Sequence, residues 1–249
     1  MIRKSLAAGA LLLGAAAFAV PSSPGERLVR VYGDLATADR VAVIVPGTDT
    51  TAATFENGTH RPGGAARALL AEARAIDPGT RLAVVAWLGY DSPRLWSLGA
   101  ITRVAAESGA EELRAWMRGL PKVPASLLCH SYGSVVCSRA AARPQPGPQA
   151  ADLADLVVVG SPGMGGARTA AAVGPRVWAG RGARDWVADV PHLTVGPFGF
   201  GADPMDPAFG ARIFATGPGG HSDYFDPGTA SLRNLALIAL GRGAEVGGA

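Results

Sequence analysis

Ser131 is the residue whose neighbours point most directly to chemistry. It ends the apolar run Leu127-Leu128-Cys129-His130 and is followed by Tyr132-Gly133-Ser134 and a helix-compatible stretch. A strand that stops at a serine flanked by small residues and turns at once into a helix has the pattern of a nucleophile elbow, which lifts the serine oxygen above the carboxyl edge of a sheet. The flanks must be small because strand and helix nearly touch there. Gly133 supplies one flank, and Cys129 stands where the motif has its other glycine. A serine hydroxyl is a weak nucleophile until a base takes its proton and a third group orients that base.

The base and the acid are sought downstream, because one recurring arrangement runs Ser, then Asp or Glu after a later strand, then His near the end of the domain. The strand-like run Arg212 to Thr216 leads into Gly217-Pro218-Gly219-Gly220-His221, and Ser231 to Leu240 reads as a final helix, so His221 sits where the base belongs. Of the other three histidines, His60 precedes the nucleophile in a polar loop, His130 is locked into the elbow, and His192 follows Asp185 too closely to lie after a further strand. Asp185, Asp189, Asp203 and Asp206 are the available acids. Asp185 is preferred because it follows the strand-like run Arg176 to Ala179 at the required distance, whereas Asp203 and Asp206 precede prolines and suit loop punctuation. Upstream, the strand Val41 to Val45 runs into Pro46-Gly47-Thr48. A loop in that position and the residue after the nucleophile each offer one backbone N–H to an oxyanion, which selects Thr48 and Tyr132.

Several segments together resemble an actinobacterial α/β-hydrolase family described only as a domain of unknown function. They are Gly33-Asp34-Leu35, Val45-Pro46-Gly47-Thr48, Trp87-Leu88-Gly89-Tyr90-Asp91-Ser92-Pro93, His130-Ser131-Tyr132-Gly133-Ser134, Gly160-Ser161-Pro162-Gly163, Asp203-Pro204, Phe209-Gly210-Ala211 and His221-Ser222-Asp223-Tyr224-Phe225. The likeness runs from about residue 28 to 242. It implies a Ser/Asp/His hydrolase fold with Ser131, Asp185 and His221 at the catalytic positions, and it supplies no substrate. Members usually carry glycine at the position of Cys129.

The elements that must hold these residues alternate as a mostly parallel sheet requires. Strands are expected near Leu28 to Tyr32, Val41 to Val45, Leu82 to Trp87, Ser126 to Cys129, Leu156 to Gly160, Val177 to Ala179 and Arg212 to Thr216. Helices are expected near Gly64 to Ile76, Ala100 to Leu120, Tyr132 to Ala142 and Ser231 to Leu240. At 249 residues and 48% hydrophobic, the chain can bury one large core, so the fold class is α/β, a single-domain α/β-hydrolase fold over residues 20–249 with helices on both faces of the sheet. The Pro-rich stretch Arg143 to Gln149 reads as a surface connector, and the short span from Gly163 to Val177 leaves room for only a minimal lid. An open acyl pocket would then be rimmed by Leu88-Gly89-Tyr90, Met164 and the loop from Trp186 to Phe209, although those apolar residues suit a core equally well.

Residues 1–19 read as a signal peptide. Arg3 and Lys4 precede an apolar stretch from Leu6 to Val20, and Ala17-Phe18-Ala19 fits small-x-small cleavage. The expected location is secreted or within the cell envelope, an uncleaved anchor being the alternative. The stretch, at roughly 15 residues, falls short of the about 20 that span a bilayer. The net charge of +3 falls to +1 without Arg3 and Lys4, and the remaining charges are scattered, so no nucleic-acid partner is indicated.

Other chemistries find no motif. There is no Gly-x-x-x-x-Gly-Lys loop and no Cys-x-x-Cys pair, so no cofactor or metal is expected. Ser161 lacks the elbow flanks. Two function classes follow: a secreted serine hydrolase acting on a small-molecule or lipid ester, with acyl transfer as a variant of the same chemistry, or a non-catalytic hydrolase-like binding protein. The only cysteines, Cys129 and Cys137, lie on either side of the elbow. Strand and helix rises place them at roughly 7 Å and 8 to 9 Å below the turn. A disulfide and a pair of buried thiols both fit that placement, and the sulfur separation decides between them.

Overall fold

The computed structural model describes residues 27–142 and 152–249. The expected leader and the connector Arg143 to Gln149 lie outside the described residues. The elements in order are Leu28–Tyr32 (β1), Arg40–Val45 (β2), Pro62–Ile76 (α1), Leu82–Leu88 (β3), Val104–Met117 (α2), Ala125–His130 (β4), Tyr132–Ala141 (α3), Leu153–Val159 (β5), Arg176–Gly180 (β6), Arg212–Ile213 (β7) and Ala230–Ala239 (α4). They form one seven-stranded sheet of order β1-β3-β2-β4-β5-β6-β7. Only β1 is antiparallel to its neighbour. Helices α1 and α4 pack together on one face, and α2 and α3 on the other. This is a single α/β domain of the expected class.

The interior strands β2, β3 and β4 are nearly continuous apolar runs because both of their faces are covered. The edge strand β1 reads Leu-Val-Arg-Val-Tyr and leaves its middle residues in solvent. Chain order reverses between β2 and β4. The connection β2 to β3 runs toward one edge of the sheet, and from β4 onward the chain runs toward the other. Such a switch point opens a crevice at the carboxyl ends of the two strands. There Val45 pairs with Cys129, so the loop after β2 and the turn after β4 emerge side by side.

Three expectations are corrected. The helix expected over Ala100 to Leu120 starts at Val104, after a separate 3-10 turn over Leu98–Ile101, because Arg103 is drawn to the loop at 196–199. The last strand is two residues long, since Phe214 still bonds Ala179 but the Ala215 N–H turns away to the Gly247 carbonyl. Leu88, Gly89, Tyr90 and Met164 are buried core and form no pocket rim: the Tyr90 hydroxyl donates to the Pro46 carbonyl at 2.8 Å, bracing the loop after β2 from below.

Cys129 and Cys137 are joined by a disulfide, with Cα atoms 6.5 Å apart. The bridge ties the last turn of β4 to α3 across the elbow, where a glycine flank would otherwise allow contact. Closing so short a loop stabilises the fold by about 2 kcal/mol. Replacing both residues, Cys129→Ala with Cys137→Ala, should therefore lower Tm by roughly 4–8 °C for a chain of this size. Thiol titration of the unfolded, unreduced chain should find no free thiol.

Candidate active site

Ser131 sits at the junction of β4 and α3 with φ 53° and ψ −128°, a backbone conformation that side-chain-bearing residues rarely adopt. Such a conformation costs on the order of 1–3 kcal/mol and persists only where its surroundings enforce it. Here the Ser131 N–H donates to the Val159 carbonyl at 3.0 Å, while its own carbonyl accepts from the Ser134 N–H at 2.9 Å and the Ser134 hydroxyl at 2.6 Å. The loop after β2 closes from the other side. A Cβ added at Gly133 would lie 2.5 Å from both the Val45 and Pro46 carbonyl oxygens, and one at Gly47 would lie 2.7 Å from Ser131 Cβ. Both glycines are therefore required by close approach. Thr48 follows Gly47 in this loop, and Tyr132 opens α3 directly after the serine.

His221 Nε2 lies 2.8 Å from Ser131 Oγ, and its Nδ1 lies 2.8 Å from Asp185 Oδ1. The tautomer follows from the acceptors. Asp185 is buried, and burial alone would raise its pKa, but hydrogen bonds from His221, Tyr224 and the Val187 N–H hold it below the ordinary carboxylate range. An ionised carboxylate only accepts, so Nδ1 carries the proton and Nε2 is left free to accept from the serine hydroxyl. Asp185 is fully engaged: Oδ1 also accepts from the Val187 N–H at 2.9 Å, and Oδ2 accepts from the Tyr224 hydroxyl.

The loops that carry Asp185 and His221 are stitched together. Ala183 and Arg184 donate backbone N–H groups to the Gly217 and Gly219 carbonyls, each at 3.2 Å, and the Gly220 N–H donates to Asp223 Oδ2 at 2.7 Å. Trp186 lies on the outer side of the His221 ring at 4.6 Å between centroids, and His130 lies 4.8 Å away within the elbow.

His130, Tyr224 and Trp186 were not singled out in the sequence for these positions. Tyr224 had a local signal, since a residue three places after His221 on the 3-10 turn Asp223–Phe225 returns toward it. His130 had only its place beside the serine. Its Nε2 is 2.6 Å from the His221 carbonyl, which can only accept, so His130 donates from Nε2 and holds the backbone of the base. Burial, reinforced by the nearby His221 ring, pushes its pKa down to about 3.

The remaining candidates have other partners. Asp203 pairs with Arg181 at 2.6 Å and with His192 at 3.2 Å, and Asp206 caps a 3-10 turn through the Ala208 N–H. Asp189 is exposed at the end of the turn that begins with Trp186. Ser161 is buried and bonded to the Ser134 hydroxyl at 2.7 Å, which makes it a buttress of the elbow. Among the described residues, His60, Asp223 and Asp226 bring ligand atoms within 4.8 Å of one another. The group pins the 58–61 loop to the turn after His221, with Thr59 Oγ1 already bonded to Asp226.

A histidine whose folded pKa lies below its ordinary 6.5 resists protonation only while the chain is folded. Between pH 6.5 and about 3 the unfolded chain takes up that proton, so stability falls as pH falls. His130→Gln keeps a donor for the His221 carbonyl and removes this proton uptake. Denaturant unfolding at pH 7 and pH 4.5 should show the stability of His130→Gln gaining on the parent by about 2.5 kcal/mol at the lower pH. An unchanged difference would mean that His130 is not held neutral.

A family model described as alpha/beta hydrolase matches residues 24–195. The uncharacterized protein Rv2079 of Mycobacterium tuberculosis is 30% identical over 252 residues, covering 87% of this chain and 37% of its own length. The uncharacterized protein Mb0988c of Mycobacterium bovis is 32% identical over 159 residues, covering 57% of this chain and 54% of its own. The chain thus spans well under two thirds of these relatives. Among solved structures, esterase PE8 superposes with a TM-score of 0.52 at 17% identity, covering 86% of this chain and 97% of its own. The Paleococcus ferrophilus monoacylglycerol lipase gives 0.51 at 12% identity, covering 87% of this chain and 99% of its own. These two likenesses are of fold. By its sheet order and by the family model that covers most of its length, the chain belongs to the alpha/beta hydrolase family.

Proposed function

We propose that the protein is an exported serine hydrolase that cleaves carboxylic esters through an acyl-enzyme. The observation that carries this reading is the unbroken relay from Asp185 through His221 to Ser131, with each link at 2.8 Å. A hydroxyl bonded to an unprotonated imidazole nitrogen can pass its proton as it attacks a carbonyl carbon.

In the first half-reaction Ser131 Oγ attacks the ester carbonyl while His221 Nε2 takes the hydroxyl proton. The imidazolium that forms is stabilised by Asp185, which stays ionised. The carbonyl oxygen, now an oxyanion, is received by the backbone N–H groups of Thr48 and Tyr132, donors of a kind worth about 3–4 kcal/mol to such an intermediate. His221 then gives its proton to the departing alkoxide, leaving Ser131 acylated. Water enters by the same route with His221 as base, releasing the acid and restoring the serine. The disulfide supports export, since such bonds persist in oxidising compartments, and it agrees with a leader over residues 1–19. No helix among the described residues is long and apolar enough to cross a membrane.

Ser131→Ala should abolish p-nitrophenyl ester hydrolysis and labelling by a fluorophosphonate while leaving the circular dichroism unchanged. His221→Ala should be nearly as severe, and Asp185→Asn milder, because the members of such a set act as a unit. Near-normal turnover by Ser131→Ala would overturn the assignment. Tyr224→Phe, which takes away one of the hydrogen bonds to Asp185, should reduce kcat by about tenfold with KM little changed, since it removes on the order of 1.4 kcal/mol of support from the relay.

A further inference from the structure

The described residues expose ten large apolar side chains, and eight of them lie in just two segments, 96–104 and 186–198. Soluble proteins scatter such residues singly, and their concentration in one place marks an interaction surface. Trp96 is 96% exposed, and Leu98, Val104, Leu193, Val195 and Phe198 stand out of the same two segments.

These segments form one platform. Arg103 donates to the carbonyls of Gly196 and Gly199, at 2.5 and 2.9 Å, and the Gly199 N–H donates to Ile101 at 3.0 Å. Thr102 and Phe198 form a β-bridge. The side chains are therefore held out by a hydrogen-bonded framework.

The platform is rooted around Ser131. At one end the Leu95 N–H donates to Asp49 Oδ1 at 3.1 Å and the Ser92 hydroxyl donates to the Gly47 carbonyl at 2.7 Å, tying it to the loop that abuts the serine. In its middle the Tyr132 hydroxyl donates to the Thr102 carbonyl at 2.8 Å. At the other end Trp186 covers His221. Whatever covers the platform therefore covers the mouth of the site. A protein seated there would close the mouth, whereas a lipid surface would bring an ester to it.

The charges agree with a lipid surface. Residues 92–106 contain Arg94 and Arg103 and no carboxylate, and the one carboxylate in residues 186–198 is the exposed Asp189. An exposed tryptophan and phenylalanine among aliphatic residues, with two arginines against one carboxylate, suit the boundary between headgroups and acyl chains. We propose that this platform docks the protein on an anionic lipid surface and that the site takes its ester from that surface. The substrate part of the inference rests on the hydrolase reading above, and the docking part does not.

The test compares the exported chain, from which the leader has been removed, with the triple variant Trp96→Ser, Leu98→Ser and Val195→Ser. None of the three residues touches the relay. Co-sedimentation with vesicles of phosphatidylcholine and phosphatidylglycerol in equal parts should show the variant partitioning at least about tenfold more weakly. Hydrolysis of a long-chain ester carried in those vesicles should fall in parallel, with p-nitrophenyl acetate turnover unchanged. Ser131→Ala should sediment like the parent chain. Equal partitioning of parent and triple variant would overturn the proposal, as would a parent dimer in gel filtration that the triple variant splits without any vesicle uptake, which would make a second copy the occupant. If the triple variant loses vesicles but no ester is hydrolysed by the parent, docking is supported and the hydrolase reading fails.

Discussion

The close approach of the loop after β2 to the turn after β4 is the contact on which the rest of the site depends. Both loops leave the sheet at adjacent strands, and their backbones come so near that no side-chain carbon fits at Gly47 or Gly133. This proximity brings the segment bearing Thr48 against the serine. It also encloses Ser131 so tightly that its unfavourable backbone angles are sustained by hydrogen bonds from both neighbouring elements. The same crowding accounts for the disulfide. With Cys129 where a glycine flank is usual, the separation between β4 and α3 is set by a covalent bond.

Electrostatically, the site is asymmetric in a way that suits proton transfer. On the far side of His221, Asp185 keeps its charge despite burial because three donors converge on its two oxygens. On the near side, His130 is kept uncharged by burial, so it holds the backbone of His221 without placing a second cation beside the imidazole. A charged group at His130 would oppose the imidazolium that forms in the proposed attack by Ser131. The neutral state thus serves the packing of the elbow and suits the proposed chemistry above it.

The residues that resemble site members but lie elsewhere show how partners decide roles. His192 and Asp203 repeat the His/Asp pairing of the relay, yet Arg181 neutralises Asp203 and no serine hydroxyl is bonded to the pair. Asp206 spends its carboxylate on a turn, and Ser161 spends its hydroxyl on Ser134 and Gly163. Leu88, Tyr90 and Met164 are apolar residues near the site whose contacts are with the core, while eight of the ten large apolar residues that reach solvent among the described residues stand in the two segments beyond it.

By itself the sequence determined what is local. Apolar runs long enough to be covered on both faces dictated the interior strands. The elbow followed from a strand ending at a serine with Gly133 after it, and Asp185 and His221 were selected by the chain order of a recurring hydrolase arrangement. Strand and helix rises even put Cys129 and Cys137 at one level. What only the tertiary structure decided were contacts between loops distant in the chain. The Leu95 to Asp49, Arg103 to Gly196 and Tyr224 to Asp185 bonds span gaps that no periodicity encodes. Likewise, whether Tyr90 faces a pocket or the core depends on the Pro46 carbonyl that takes its hydroxyl, and the last strand stops short because a carbonyl from the chain's end captures Ala215. Hydrophobic pattern reports which face of an element is covered. It does not report which loop covers which, because that depends on where the sheet brings the loop ends together.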